Sequence, residues 1–137
     1  MTILLADDDR VMRTLTATFL KRSGFELLYA QDAAQVLQIV KSTVPDMFVL
    51  DIMMPGISGI ELCRALRAHE ATRGTPVIML SSLNDPQTIN NCLNAGATAF
   101  VCKSDMQRLP AIVRKFLPAP TPGPLSRQEA QAGIDAK

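Results

Sequence analysis

The sequence predicts an α/β fold: a five-stranded parallel sheet, doubly wound, with helices on both faces. Two observations carry this. Five short aliphatic or β-branched runs, at residues 3–5, 25–29, 47–50, 77–80 and 99–102, are apolar on both sides, as strands buried on both faces of a sheet require. Between them lie longer stretches with helical spacing. Strict strand–helix alternation places the strands in parallel, and right-handed crossovers leave only a few doubly wound orders.

In chain order, Ile3, Leu4 and Leu5 open the first strand. Met12, Leu15, Phe19 and Leu20 then mark one face of a first helix, and Gly24 stops it. Phe25 to Tyr29 form the second strand, and Val36, Leu37 and Val40 the apolar stripe of the second helix. The third strand runs from Met47 to Leu50. Ser58 with Glu61 three residues on is a capping box, opening a helix with Leu62 and Leu66 inward. After the fourth strand (Val77 to Leu80), Asp85-Pro86 reads as an N-cap followed by proline at the first helical position. Ile89 and Leu93 mark that helix and Gly96 ends it. Ala99 to Cys102 make the fifth strand. Pro110 fixes the start of the last helix near itself, with Ile112, Val113 and Phe116 as its apolar face. Beyond Leu117 four prolines and a glycine fall within seven residues and no apolar periodicity follows. The expected organisation is a folded domain over 1–117 and a proline-rich linker and disordered tail over 118–137.

Composition narrows the function. The 137 residues are 47% hydrophobic, too apolar for a disordered chain. Fourteen Lys+Arg against thirteen Asp+Glu give a net charge of +1, which argues against a charge-driven nucleic-acid binder. No apolar run is long enough to span a membrane or serve as a signal peptide. Cys63, Cys92 and Cys102 are odd in number and far apart, with neither metal-ligand nor disulfide spacing, so a reducing cytoplasm is expected. No Gly-rich dinucleotide or P-loop motif occurs.

In an open parallel sheet, ligands bind beyond the carboxyl ends of the strands. The residues there are Asp7, Asp8 and Asp9 after the first strand, Asp51 after the third, Ser81-Ser82 after the fourth and Lys103 after the fifth. Crowded carboxylates repel one another, and a hard divalent cation such as Mg²⁺ relieves this while sharing its coordination with phosphate. A carboxylate is also a competent nucleophile toward phosphorus, with a lysine and a hydroxyl to neutralise and position the phosphoryl oxygens.

The strings LLADDDRVMR, PDMFVLDIMMPGISGIEL, PVIMLSS and AGATAFVCK, in this order and spacing, resemble the receiver domain of two-component response regulators from about Ile3 to Leu117. The resemblance implies the flavodoxin-like strand order 2-1-3-4-5. It implies phosphorylation of Asp51, an Mg²⁺ site of Asp7, Asp8, Asp51 and the backbone carbonyl of Met53, and Ser81 and Lys103 as phosphoryl-binding groups. Phe100 would be the switch aromatic. Asp8 is the expected direct ligand, with Asp7 acting through water. The implied donor is a sensor histidine kinase or histidine phosphotransfer protein. The implied output is a changed surface of the fourth helix, fifth strand and fifth helix, bearing Asn90, Asn91 and Asn94, that controls a downstream protein without direct nucleic-acid contact or membrane insertion. On this reading the domain is a signalling switch and not an enzyme, beyond self-phosphotransfer and slow autodephosphorylation.

Two residues depart from the family pattern. Lys103 is followed by Ser104 rather than proline, and a cis bond there would cost about 3 kcal/mol, so a trans bond and a different loop are expected. Ser81 stands where threonine is commoner and keeps the hydroxyl. Competing readings are a phosphorylation-independent interaction module, and a phosphatase using Asp51, which would need a second acid where Met53 stands. Asp9 reads as an N-cap and His69 as solvated. Ser58 in Gly56-Ile57-Ser58-Gly59 reads as a cap rather than a nucleophile, and Cys102 as buried and inert on the face opposite Lys103.

Overall fold

The computed structural model describes residues 1–117; the proline-rich stretch 118–137 lies outside the described residues. Five strands, β1 (Thr2–Ala6), β2 (Glu26–Ala30), β3 (Met47–Asp51), β4 (Val77–Ser81) and β5 (Ala99–Cys102), pair in parallel in the order β2-β1-β3-β4-β5. The helices are α1 (Arg10–Arg22), α2 (Ala33–Val40), α3 (Gly59–Ala68), α4 (Pro86–Asn94) and α5 (Leu109–Phe116). The predicted fold and strand order are those observed.

Strand alternation splits the core into two layers. Ile3, Leu5, Met47, Val49, Ile78, Leu80 and Val101 join Leu20, Leu109 and Val113 under α1 and α5. Leu4, Ala6, Phe48, Leu50, Val77 and Met79 join Val36, Leu62, Leu66 and Cys92 under α2, α3 and α4. The central strands β3 and β4 are buried throughout, which is why they read as unbroken apolar runs.

The edge strands behave differently. In β2, Glu26 and Tyr29 are exposed, and β5 is only partly buried, so the expectation of burial on both faces fails at both edges. An edge strand lacks a neighbour on one side, and the helices that pack on it cover it only in part. β2 also begins one residue later than predicted, with Phe25 buried just before it.

The caps follow the sequence. Asp9 caps α1, Asp85 caps α4 with Pro86 at its start, and Ser58 and Glu61 form the capping box of α3. Two residues expected to face inward face solvent. Leu15 and Leu93 are 43% and 48% exposed, while Thr16, Ala17 and Leu20 face inward from α1 and Cys92 from α4. Met12, Phe19 and Leu20 pack on the core as expected, and small or polar residues rather than Leu15 and Leu93 fill the other inward positions. Before α5 lies a 3-10 segment, Lys103–Arg108, that periodicity did not reveal; Pro110 falls in the first turn of α5, as expected. All peptide bonds among the described residues are trans, Lys103–Ser104 included.

Candidate functional site

β1 lies between β2 and β3, so the chain order reverses between β1 and β3, and a crevice opens beyond their carboxyl ends. Ala6 pairs with Leu50, which sets Asp7 beside Asp51 at the sheet centre. Ser81 ends β4 opposite Cys102, and Lys103 follows immediately.

Asp7 is fully buried and Asp51 nearly so, while Asp8 is exposed. Lys103 Nζ stands 3.2 Å from Asp51 Oδ1 and 3.4 Å from Asp7 Oδ2, bridging the two acids from the β5 side. The loop after β1 is pinned at several points. Asp7 N–H donates to the Ala30 carbonyl (3.1 Å), Asp9 N–H donates to Asp7 Oδ1 (2.9 Å), and Arg13 donates to the Asp7 carbonyl (2.7 Å). Asp7 Oδ2 is buried with no well-aligned hydrogen-bond donor, the Lys103 ammonium facing it at 3.4 Å.

The electrostatics follow from this crowding. Burial first, then the Asp7 carboxylate, push Asp51 up from 3.8 to about 6, against the opposing pull of Lys103. Burial works against the Lys103 ammonium, but Asp51 and Asp7 outweigh it and hold its pKa above the ordinary lysine value. One ammonium thus faces three carboxylates, which leaves the site short of positive charge. Oxygens of Asp7, Asp8 and Asp51 lie within 4.8 Å of one another, a spacing that one hard cation can span. The orphaned Asp7 oxygen and the all-oxygen donor set fit a divalent ion of the magnesium class.

The other expected residues are close but differently engaged. The Met53 N–H donates to Asp51 Oδ1 at 3.4 Å, and its side chain is exposed. Ser81 is buried and its Oγ accepts from the Leu83 N–H (2.9 Å), an engagement within its own loop. Phe100 is half-buried against the core under α2, α3 and α4. His69 is exposed, as read. Cys102 is a correction: it is half-buried rather than buried, and its Sγ lies 3.2 Å from Ser104 Oγ, because an edge strand leaves its last residue uncovered.

Two contributors escaped the sequence reading. Arg13 ties α1 to the acidic loop. Gly59 stands so close to β3 that an added Cβ would fall on the Asp51 carbonyl oxygen, and its N–H donates to the Ile52 carbonyl (2.8 Å).

The comparisons agree with this geometry. The profile of the response regulator receiver domain matches residues 3–114. The chain is 33% identical over 129 residues to the phosphate regulon transcriptional regulatory protein PhoB of Pseudomonas aeruginosa, covering 90% of this chain and 56% of that protein. Among solved structures, the Vibrio cholerae chemotaxis protein CheY4 superposes with a TM-score of 0.79 at 25% identity, covering 85% of this chain and 98% of that one. The BeF3-activated DrrB receiver domain gives 0.75 at 29% identity, with 85% and 96% covered. The chain belongs to the receiver domains of two-component response regulators, the phosphoacceptor switches that work with histidine kinases. It spans about half the length of the curated relatives it matches.

Proposed function

We propose that Asp51 is the phosphoacceptor of this receiver, and that residues 1–117 form the working unit. The observation that carries the reading is the position of Lys103 Nζ, 3.2 Å from Asp51 Oδ1, within a cluster of three carboxylates. A phosphohistidine of a sensor kinase or phosphotransfer protein presents its phosphorus to the ionised Asp51 carboxylate. The new bond joins a carboxylate oxygen to phosphorus, the P–N bond breaks, and the imidazole leaves with the electron pair. With its pKa at about 6, Asp51 is mostly ionised near neutral pH and ready to attack. A cleft of about 500 Å³ beside it, lined by Asp8, Met53, Met54 and Glu61, gives the donor access.

Asp7, Asp8, Asp51 and the Met53 carbonyl would hold Mg²⁺, which when bound supplies charge neutralisation at the phosphoryl oxygens. Lys103 remains an ammonium throughout and turns from the free carboxylate to the phosphoryl group. The Ser81 hydroxyl, now accepting from Leu83 N–H, keeps its own O–H to donate to a phosphoryl oxygen. The new group adds about 1.5 to 2 negative charges. Moving a population from 1:99 to 99:1 takes about 5.5 kcal/mol, which a few charge-assisted hydrogen bonds can reach. Phe100 follows Ser81 inward, and the surface of α4, β5 and α5, with Asn90 and Asn94 exposed on it, passes the change to a downstream protein in the cytoplasm. Water attack on the acyl phosphate releases inorganic phosphate slowly and resets the switch.

The test is incubation with acetyl phosphate or beryllofluoride, with and without Mg²⁺, read by intact mass and amide NMR beside Asp51→Asn. An Mg²⁺-dependent adduct absent from the variant, with shifts reaching Ser81, Phe100 and Lys103, is the expected result. No adduct would leave a receiver fold acting as a fixed interaction scaffold.

A further inference from the structure

The near-neutral total conceals an uneven distribution of charge. α1 carries Arg10, Arg13, Lys21 and Arg22 and no acidic residue at all. Among the described residues none of these four pairs with a carboxylate, the ion pairs there being made by Lys103 and Arg108. Between α1 and the exposed edge strand β2 runs a concave groove of about 400 Å³ lined by Arg10, Arg13, Thr14, Ala17, Lys21 and Tyr29. Tyr29 is 42% exposed, and the Lys21 ammonium lies 5.9 Å from its ring centre. Arg13 is anchored by its bond to the Asp7 carbonyl, while Arg10 and Lys21, at the two ends, have no carboxylate partner among the described residues.

We propose that this groove docks an extended acidic segment of a partner protein. Arg10 and Lys21 are eleven positions apart, so their Cα atoms are separated by about 16 Å along the helix. A compact anion cannot reach both ends, whereas an extended chain covers that distance in about five residues. The guanidinium forks of Arg10 and Arg13 match carboxylates bidentately, and the Tyr29 ring offers a flat apolar floor beside Lys21. The groove lacks the Gly-rich backbone cradle that holds phosphates, which favours carboxylates over a nucleotide. It lies at the β2 edge of the sheet, opposite the β5 edge.

The test is an amide NMR titration of the whole chain, without divalent metal, using a synthetic peptide with two glutamates about five residues apart. Its glutamine counterpart serves as control. The expected result is saturable shifts at Arg10, Thr14, Lys21 and Tyr29, weakened roughly tenfold or more in the double variant Arg10→Gln, Lys21→Gln. Arg114→Gln with Lys115→Gln, equally depleted in charge but outside the groove, should bind like the parent. Equal weakening by both double variants would reduce the effect to net charge and overturn the proposal. Absence of saturation would overturn it too. Tighter binding of pyrophosphate at the same residues would reassign the groove to phosphate-bearing ligands. Retention of the Mg²⁺-dependent acetyl phosphate adduct in both variants verifies that they are folded.

Discussion

Replacing Asp51 by asparagine should stabilise the metal-free protein at neutral and alkaline pH. The folded state holds the Asp51 carboxyl at about 6 against an ordinary 3.8, chiefly through burial and then through Asp7. A displacement of that size corresponds to about 3 kcal/mol. Because the pKa is raised on folding, the native state binds the proton more tightly. The associated stability is present below pH 3.8 and is lost as pH rises through about 6. Asparagine keeps the shape and never ionises, so the variant escapes this loss. It also forfeits the attraction between Lys103 and Asp51, already included in the net displacement, and leaves Lys103 to Asp7 alone. The expected gain is about 1 to 3 kcal/mol at pH 8, which for a domain of this size raises Tm by roughly 5 to 12 °C. Thermal unfolding from pH 4 to 8 in the presence of a chelator reads it directly: the two proteins should converge near pH 4 and diverge through pH 6. Saturating Mg²⁺ should narrow the difference, because it neutralises the parent site and gains less from the variant. A variant no more stable than the parent at pH 8, or a difference independent of pH, would refute the reasoning.

Three other perturbations separate the site from its scaffold. Gly59→Ala places a Cβ against the Asp51 carbonyl, so it should cost about 2 kcal/mol in denaturant unfolding and slow adduct formation with acetyl phosphate by shifting the nucleophile. Ser58→Ala removes only the capping box of α3 and should cost about 1 kcal/mol with the adduct rate intact. Arg67, at the end of α3, donates to the carbonyls of Gly96 (2.9 Å), Thr75 (2.6 Å) and Arg73 (3.1 Å). Arg67→Met should therefore cost about 2 kcal/mol and speed hydrogen exchange in the loop between α4 and β5.

How much of this was legible depended on whether a residue's role is written in its neighbours along the chain. Val77 to Leu80 announce a central strand because both flanks of β4 are covered, and every position must be apolar. Glu26 to Ala30 sit at an edge, where only some positions are covered, so β2 slid by one residue in the reading. Caps were legible because Asp9, Ser58 and Asp85 satisfy N–H groups two or three residues away. The inward face of α4 was not, because Cys92 rather than Leu93 fills the space over the sheet, and nothing along the chain says which space remains.

The same distinction holds at the site. That Asp7, Asp51 and Lys103 share one edge follows from strand order, since each stands directly after a strand. What strand order cannot supply is the balance of charge there. A lone lysine between two buried acids could hold both fully ionised, or could leave one of them close to protonation. The structure places Lys103 at 3.2 and 3.4 Å from the two, so one ammonium is shared between both acids. Burial and mutual repulsion therefore prevail over its attraction at Asp51. This imbalance is what makes the site receptive: a carboxylate kept short of counter-charge in a dry crevice gains more from a divalent cation, and from transfer of a phosphoryl group that Lys103 can then attend, than one already neutralised by its neighbours. Backbone donors hold that tension in place: Asp9 N–H donates to the Asp7 carboxylate and Met53 N–H to that of Asp51, so neither acid turns away without losing a hydrogen bond.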